Sequence, residues 1–151
     1  DDIQHERGEF RLGVRLTGAD KLNNFIDSGR FRSRIEAAMR EAMSAGLGAQ
    51  NNRIKTSGTT KSGRAGRVKT GEMLGNTDMR VTKSEHIIRG DAGWLDGTPE
   101  YAKWQEYGFN HWISNEFIEG MNSLGEGLGG GGSVLISRMD KILKDMKNGR
   151  I

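Results

Sequence analysis

Phe31, Ile35, Ala38, Met39, Ala42 and Met43 recur at three- and four-residue steps, the spacing of one face of a helix. This stripe predicts a helix from Phe31 to about Gln50, with Arg34, Glu36, Arg40 and Glu41 largely off it. An apolar stripe of this length has to be covered by another layer. Ala38 and Ala42 are small enough to let that layer come close. Core packing is the simpler reading of the stripe, and a seam between subunits is the alternative. Gly46 and Gly48 weaken the last turns.

Elsewhere the period changes. Phe10, Leu12, Val14 and Leu16 alternate with non-apolar residues, as on one face of a strand. Ala19 to Asp27 reads as a short helix bearing Leu22, Phe25 and Ile26. Met79–Lys83 and Glu85–Arg89 read as two short strands turning about Ser84, and Gly90-Asp91-Ala92-Gly93 ends the pair or leads it into a loop. Thr70-Gly71-Glu72-Met73-Leu74 suits a single helical turn. Thr98 and Pro99 mark a helix start, and that helix runs from Pro99 to Tyr107, with Gly108 placed to stop it in the left-handed region. A helical face from about Ser114 to Leu124 is one reading of an ambiguous stretch. The last helix is read from Val134 to about Asn148, capped by Ser133, with a stripe of Leu135, Met139, Ile142 and Met146. Asp140 with Lys144 and Lys141 with Asp145 are spaced as helix-supporting pairs. The fold class expected is α+β: a small antiparallel sheet with a long helix in the N-terminal half and a C-terminal helix, in one domain spanning residues 1–151.

Two segments read as loops. Residues 51–71 have almost nothing to bury and no acidic side chain, while Arg53, Lys55, Lys61, Arg64, Arg67 and Lys69 are basic; they read as a flexible, positively charged loop. The glycines do not match a nucleotide-phosphate loop. Residues 125–132 are mostly glycine and, given the backbone entropy each glycine loses on ordering, read as a hinge or mobile loop.

Chemistry is sparse. The chain has no cysteine, so disulfides and thiolate sites are excluded. His5, His86 and His111 are too scattered for a zinc spacing, no serine sits in a nucleophile elbow, and no cofactor motif is present. No apolar run has the length of a membrane span. At 34% hydrophobic residues and 23 glycines, the chain buries a modest core or shares apolar surface with partners. This points to an assembly protein. The basic loop leaves an alternative, a nucleic-acid-binding packaging accessory protein contacting phosphates without reading bases.

Tyr101, Trp104 and Tyr107 form one aromatic face of the helix that ends at Gly108. Core contact is the expectation for Trp104, and positioning of a neighbour for Glu106 and Tyr107.

The order of these pieces resembles the neck, head–tail joining and tail-completion proteins of long-tailed bacteriophages. The resemblance rests on Val14 to Leu22, the Ala-rich helix from Ile35 to Ala49, Thr70-Gly71-Glu72-Met73-Leu74, the hairpin, Tyr101-Ala102-Lys103-Trp104-Gln105-Glu106-Tyr107-Gly108-Phe109 and a C-terminal helix. It implies a virion protein, made in the host cytoplasm, that joins copies of itself, commonly six, into a ring through which DNA passes. Its implied partners are the neighbouring neck or adaptor ring and the tail tube or terminator proteins. It implies a fold or subunit-contact role for Thr70, Gly71, Tyr101, Trp104, Glu106, Tyr107 and Gly108. The basic loop is expected to face the lumen or a partner, with non-specific contact to DNA.

Overall fold

A computed structural model describes residues 8–15, 29–57, 71–110 and 112–150. The predicted short helix at 19–27, the basic residues Lys61, Arg64, Arg67 and Lys69, and Thr70 lie outside the described residues.

The long stripe folds as read. Helix α1, Gly29–Thr56, buries Phe31, Ile35, Ala38, Met39, Ala42 and Met43, and then continues past Gln50 to bury Ile54. Its last turns therefore occupy the start of the predicted basic loop, so Arg53 and Lys55 are helical residues. Strand β1, Glu9–Arg15, helix α2, Glu72–Gly75, and strands β2, Asp78–Lys83, and β3, Ile87–Gly93, follow the predicted order. The Gly90–Gly93 segment corrects one expectation: it belongs to the central strand of an antiparallel sheet ordered β1-β3-β2.

Register explains why a glycine sits mid-strand. Phe10, Ala92 and Met79 stand in one cross-strand row, and Leu12, Gly90 and Val81 in the next. These rows face α1. A Cβ on Gly90 would lie 2.5 Å from Met43 Cγ and 2.9 Å from Met39 Sδ, so the missing side chain is the space that the two methionines fill. Trp94, just beyond β3, is 1% exposed, and its indole N–H donates to the Met73 carbonyl at 2.9 Å. That bond fastens α2 to the end of the sheet and satisfies the one polar atom of the buried ring.

Helix α3, Glu100–Tyr107, starts at the expected place, with Pro99 at its N-cap position. Gly108 does take a positive φ of 89°, but its ψ of 165° is extended and opens strand β4, Gly108–Asn110. Strand β5, Phe117–Glu119, pairs with it antiparallel, so the helical reading of 114–124 is replaced by a short two-stranded ribbon.

The largest correction concerns the glycine run. Residues 125–132 are helical, inside α4, Ser123–Lys147. Ser133 is an interior residue whose hydroxyl donates to the Gly129 carbonyl. Glycine costs a helix about 1 kcal/mol relative to alanine at each interior position, and close packing against α1 offsets this. A Cβ on Gly127 would lie 2.5 Å from the Phe10 ring, one on Gly131 2.9 Å from the Ala42 carbonyl, and one on Gly46 2.7 Å from the Gly127 carbonyl. The two helices thus meet backbone to backbone, with Phe10 filling their crossing. Further along, Arg138 forks onto Glu41 at 2.5 and 2.8 Å, and Arg34 meets Asp145 at 2.6 Å. Asp145 is thus tied to α1 across the helix pair.

Candidate interaction surface

The Tyr101–Gly108 segment splits into two faces with different work. Ala102 and Glu106 point inward and are buried. Glu106 is 4% exposed, and its carboxylate accepts three hydrogen bonds: from the Ser123 amide at 2.9 Å, the Ser123 hydroxyl at 2.7 Å and the Leu124 amide at 2.8 Å. Those amides are among the four that open α4 and have no partner within the helix. A carboxylate there also meets the positive end of the helix dipole. Asn122, at the N-cap position, makes no side-chain cap, so Glu106 caps α4 from another element. Glu106 therefore positions its own fold rather than a neighbour.

The other face is open. Trp104 is 57% exposed and does not belong to the core, which overturns its expected anchoring role; Trp94 is the buried tryptophan. The hydrophobic signal of Trp104 was correct in kind, but one aromatic stripe on an eight-residue helix does not say which side faces inward. Tyr101 and Tyr107 are exposed as well. Burial on one side and the negative charge of Glu106 push the Tyr107 phenol above its ordinary value.

The ribbon extends this face. Trp104 meets Phe109 edge to face with ring centroids 6.4 Å apart. A Cβ on Gly108 would lie 2.7 Å from the Phe117 ring, so glycine is required there for the close approach as well as for its positive φ. Trp112, Ile113 and Phe117 are 88%, 70% and 61% exposed. Two-stranded ribbons are marginal in water on their own, and this one is fastened at its base. The Met121 amide donates to the Gln105 carbonyl at 2.8 Å, and the Asn122 amide to the Glu106 carbonyl at 3.3 Å. Gly120 lies so close to the Glu106 carbonyl that a Cβ has no room. The result is an arm, rigid where it leaves α3 and apolar at its tip.

The remaining predicted site residues divide. Gly71 stands at the N-cap position of α2 with φ 78° and ψ −8°, a left-handed conformation suited to glycine. Arg53 donates to the Met121 carbonyl at 2.8 Å, so it braces the end of the arm. Lys55 is exposed on the last turn of α1. On the sheet's outer face, Asp91 binds Arg11 and Arg89, and with Arg80 and Lys103 they line a depression of about 520 Å³. The Asp91 hydrogen bond, together with the charges of Asp91 and Glu9, raises the Arg11 guanidinium against the opposing pull of burial. Among the described residues no group of three or more His, Cys, Asp or Glu is placed to hold a metal ion, and no helix is long and apolar enough to cross a membrane.

No family model, curated protein or solved structure matches the chain.

Proposed function

We propose that this chain is a structural subunit of the head–tail joining or tail-completion region of a long-tailed bacteriophage, acting by contact with copies of itself and with adjoining rings around a channel for DNA. The observation that carries the reading is the aromatic arm. Among the described residues, six of the nine large apolar side chains left exposed fall between Tyr101 and Phe117. A patch of this kind marks an interaction surface, and aromatic side chains are the usual anchors of such surfaces.

The order of motifs agrees with the family resembled: an N-terminal strand, a long helix, the single turn after Thr70-Gly71, a hairpin, the Tyr101–Gly108 helix and a C-terminal helix. A joining protein also needs a scaffold that holds its contact surface in place, and capping of α4 by Glu106 provides that link. The adjoining rings and the tail tube or terminator are its proposed neighbours, with the host cytoplasm as the site of assembly before it enters the virion.

The reading is tested by removing the protein from its phage and examining the particles. DNA-filled heads and separate tails, restored to joined virions by a complementing copy, are expected. Normally joined particles that contain none of this chain by mass spectrometry would overturn it.

A further inference from the structure

The outer face of the three-stranded sheet is organised around one carboxylate. Arg11, Asp91 and Arg80 stand in a single cross-strand row, and Gly13, Arg89 and Thr82 in the next. Asp91 is 6% exposed, so its charge needs partners. It has two: Arg11 Nε lies 2.5 Å from one oxygen and Arg89 Nε 3.2 Å from the other. Arg11 Nη2 then donates to Glu9 at 3.0 Å. Both guanidiniums are thereby held by their Nε edges.

Cations remain that this arrangement does not use. The terminal nitrogens of Arg89 make no hydrogen bond among the described residues. Gly13, directly opposite Arg89, leaves the space beside it open, since a Cβ there would meet nothing within 4 Å. Lys103 of α3 has no ion pair among the described residues. Arg80 reaches only Asp96, at 3.7 Å, whose side chain is 84% exposed, and a pair of that kind in open solvent is worth little. Satisfying Asp91 requires neither Arg80 nor Lys103.

These groups line the depression of about 520 Å³, where Arg11, Arg80, Arg89 and Lys103 face only Glu9 and Asp91. The excess of two positive charges suits a dianion. A carboxylate brings one negative charge and two oxygens in one plane. A singly esterified phosphate carries about −1.5 to −2 at neutral pH and three strong acceptor oxygens, set tetrahedrally. Arg80, Arg89 and Lys103 come from β2, β3 and α3, so donors are supplied by three separate elements. The planar fork of Arg89 matches two phosphate oxygens. Trp94, the one aromatic ring among the described lining residues, is buried, which leaves charge rather than ring stacking to recognise the ligand.

We propose that this depression binds a phosphate dianion, with Arg80, Arg89 and Lys103 donating to its oxygens while Asp91 and Glu9 hold Arg89 and Arg11 in place. The source is free phosphate or the terminal phosphomonoester of a larger molecule. Neither the aromatic arm nor the assembly reading enters into it.

Backbone amide NMR shifts of the full chain are followed during titration with inorganic phosphate at neutral pH and fixed ionic strength. Saturable shifts are expected at Arg80, Arg89, Asp91 and Lys103, with acetate much weaker at the same amides. Lys103→Gln and Arg80→Gln remove no partner of a buried group, and each should weaken phosphate roughly tenfold. Lys144→Gln, on an exposed lysine of α4, should leave binding unchanged. Arg89→Lys, which keeps the charge and loses the fork, should weaken it less than Arg89→Gln. A DNA strand phosphorylated at its 5′ end and the same strand ending in a hydroxyl identify the source. Binding of the phosphorylated strand alone, in competition with phosphate, assigns a terminal monoester; binding of inorganic phosphate and of neither strand assigns the free ion. Equal binding of both strands would overturn the proposal in favour of internal phosphodiesters. So would the absence of saturable shifts at these amides, acetate binding as well as phosphate, or equal weakening by Lys144→Gln and Lys103→Gln.

Discussion

Glu106 of α3 caps the first turn of α4 through Ser123, accepting from both its amide and its hydroxyl and from the next amide as well. One buried carboxylate thereby joins the aromatic arm to the helix pair that forms the core. Hydrogen bonds to a charged acceptor are worth about 1.5–3 kcal/mol each, and breaking them exposes the cost of the buried donors. Glu106→Ala is expected to lower stability by about 2–4 kcal/mol in chemical denaturation. Glu106→Gln, which keeps one acceptor oxygen but turns an amide N–H₂ toward the remaining donors, should fall between the two. A loss below that of an ordinary surface substitution would show that α4 does not depend on this cap.

Two tryptophans ten residues apart should behave oppositely. Trp94 is buried with its N–H bonded to Met73, whereas Trp104 is more than half exposed. Trp94→Ala is expected to cost about 3–5 kcal/mol. Trp104→Ala should stay within about 1 kcal/mol of the parent, with its effect falling on assembly. Paired thermal melts decide the matter, and equal losses would contradict the placement of Trp104.

Local pattern carried a good part of this fold. The Phe31–Met43 stripe is long enough for its period to identify a helix and its inward face, and the alternation in Phe10–Val14 identified β1. What escaped had non-local causes. Glycine at 125–132 reads as a loop from intrinsic preference; the reason it forms a helix is Phe10 and Gly46, which are distant in sequence. Strands β4 and β5 have three residues each, too few to show alternation. Within the candidate surface, the aromatic character of Tyr101, Trp104 and Tyr107 was legible, while the inward turn of Glu106 was not. Its partner, Ser123, becomes meaningful only once α4 is seen to begin there.

Acid should loosen the helix pair. Hydrogen bonding to Arg138 lowers the Glu41 carboxyl, hydrogen bonding to Arg34 lowers Asp145, and hydrogen bonds from Arg40 and Lys83 lower Glu36. A carboxyl that is lower in the folded chain contributes stability above its unfolded value, near ~4, and loses it as pH falls through the folded value. The denaturation midpoint is therefore expected to hold from neutral pH down to about 5 and to drop below ~4. Because these pairs are solvent-accessible, 1 M salt should flatten the decline. Glu41→Gln with Asp145→Asn should flatten it as well, and an unchanged acid slope in that double variant would place the titrating groups elsewhere.

Within the single run Gly125–Gly132, alanine should have opposite effects depending on which side of α4 it lands. A Cβ on Gly129 or Gly132 meets nothing within 4 Å, whereas one on Gly127 would collide with the Phe10 ring and one on Gly131 would press on the Ala42 carbonyl at 2.9 Å. At the open positions alanine removes backbone freedom from the unfolded chain without a native-state penalty, so Gly129→Ala and Gly132→Ala should each raise stability by about 0.5–1 kcal/mol. At the closed positions the new methyl has to separate α1 from α4, and Gly127→Ala and Gly131→Ala should cost roughly 1–3 kcal/mol, as overpacked cores do. Urea midpoints of the four variants test this, with far-ultraviolet circular dichroism to follow helix content. Four changes of the same sign would mean that intrinsic preference alone governs the segment, and that its contact with α1 does not select glycine.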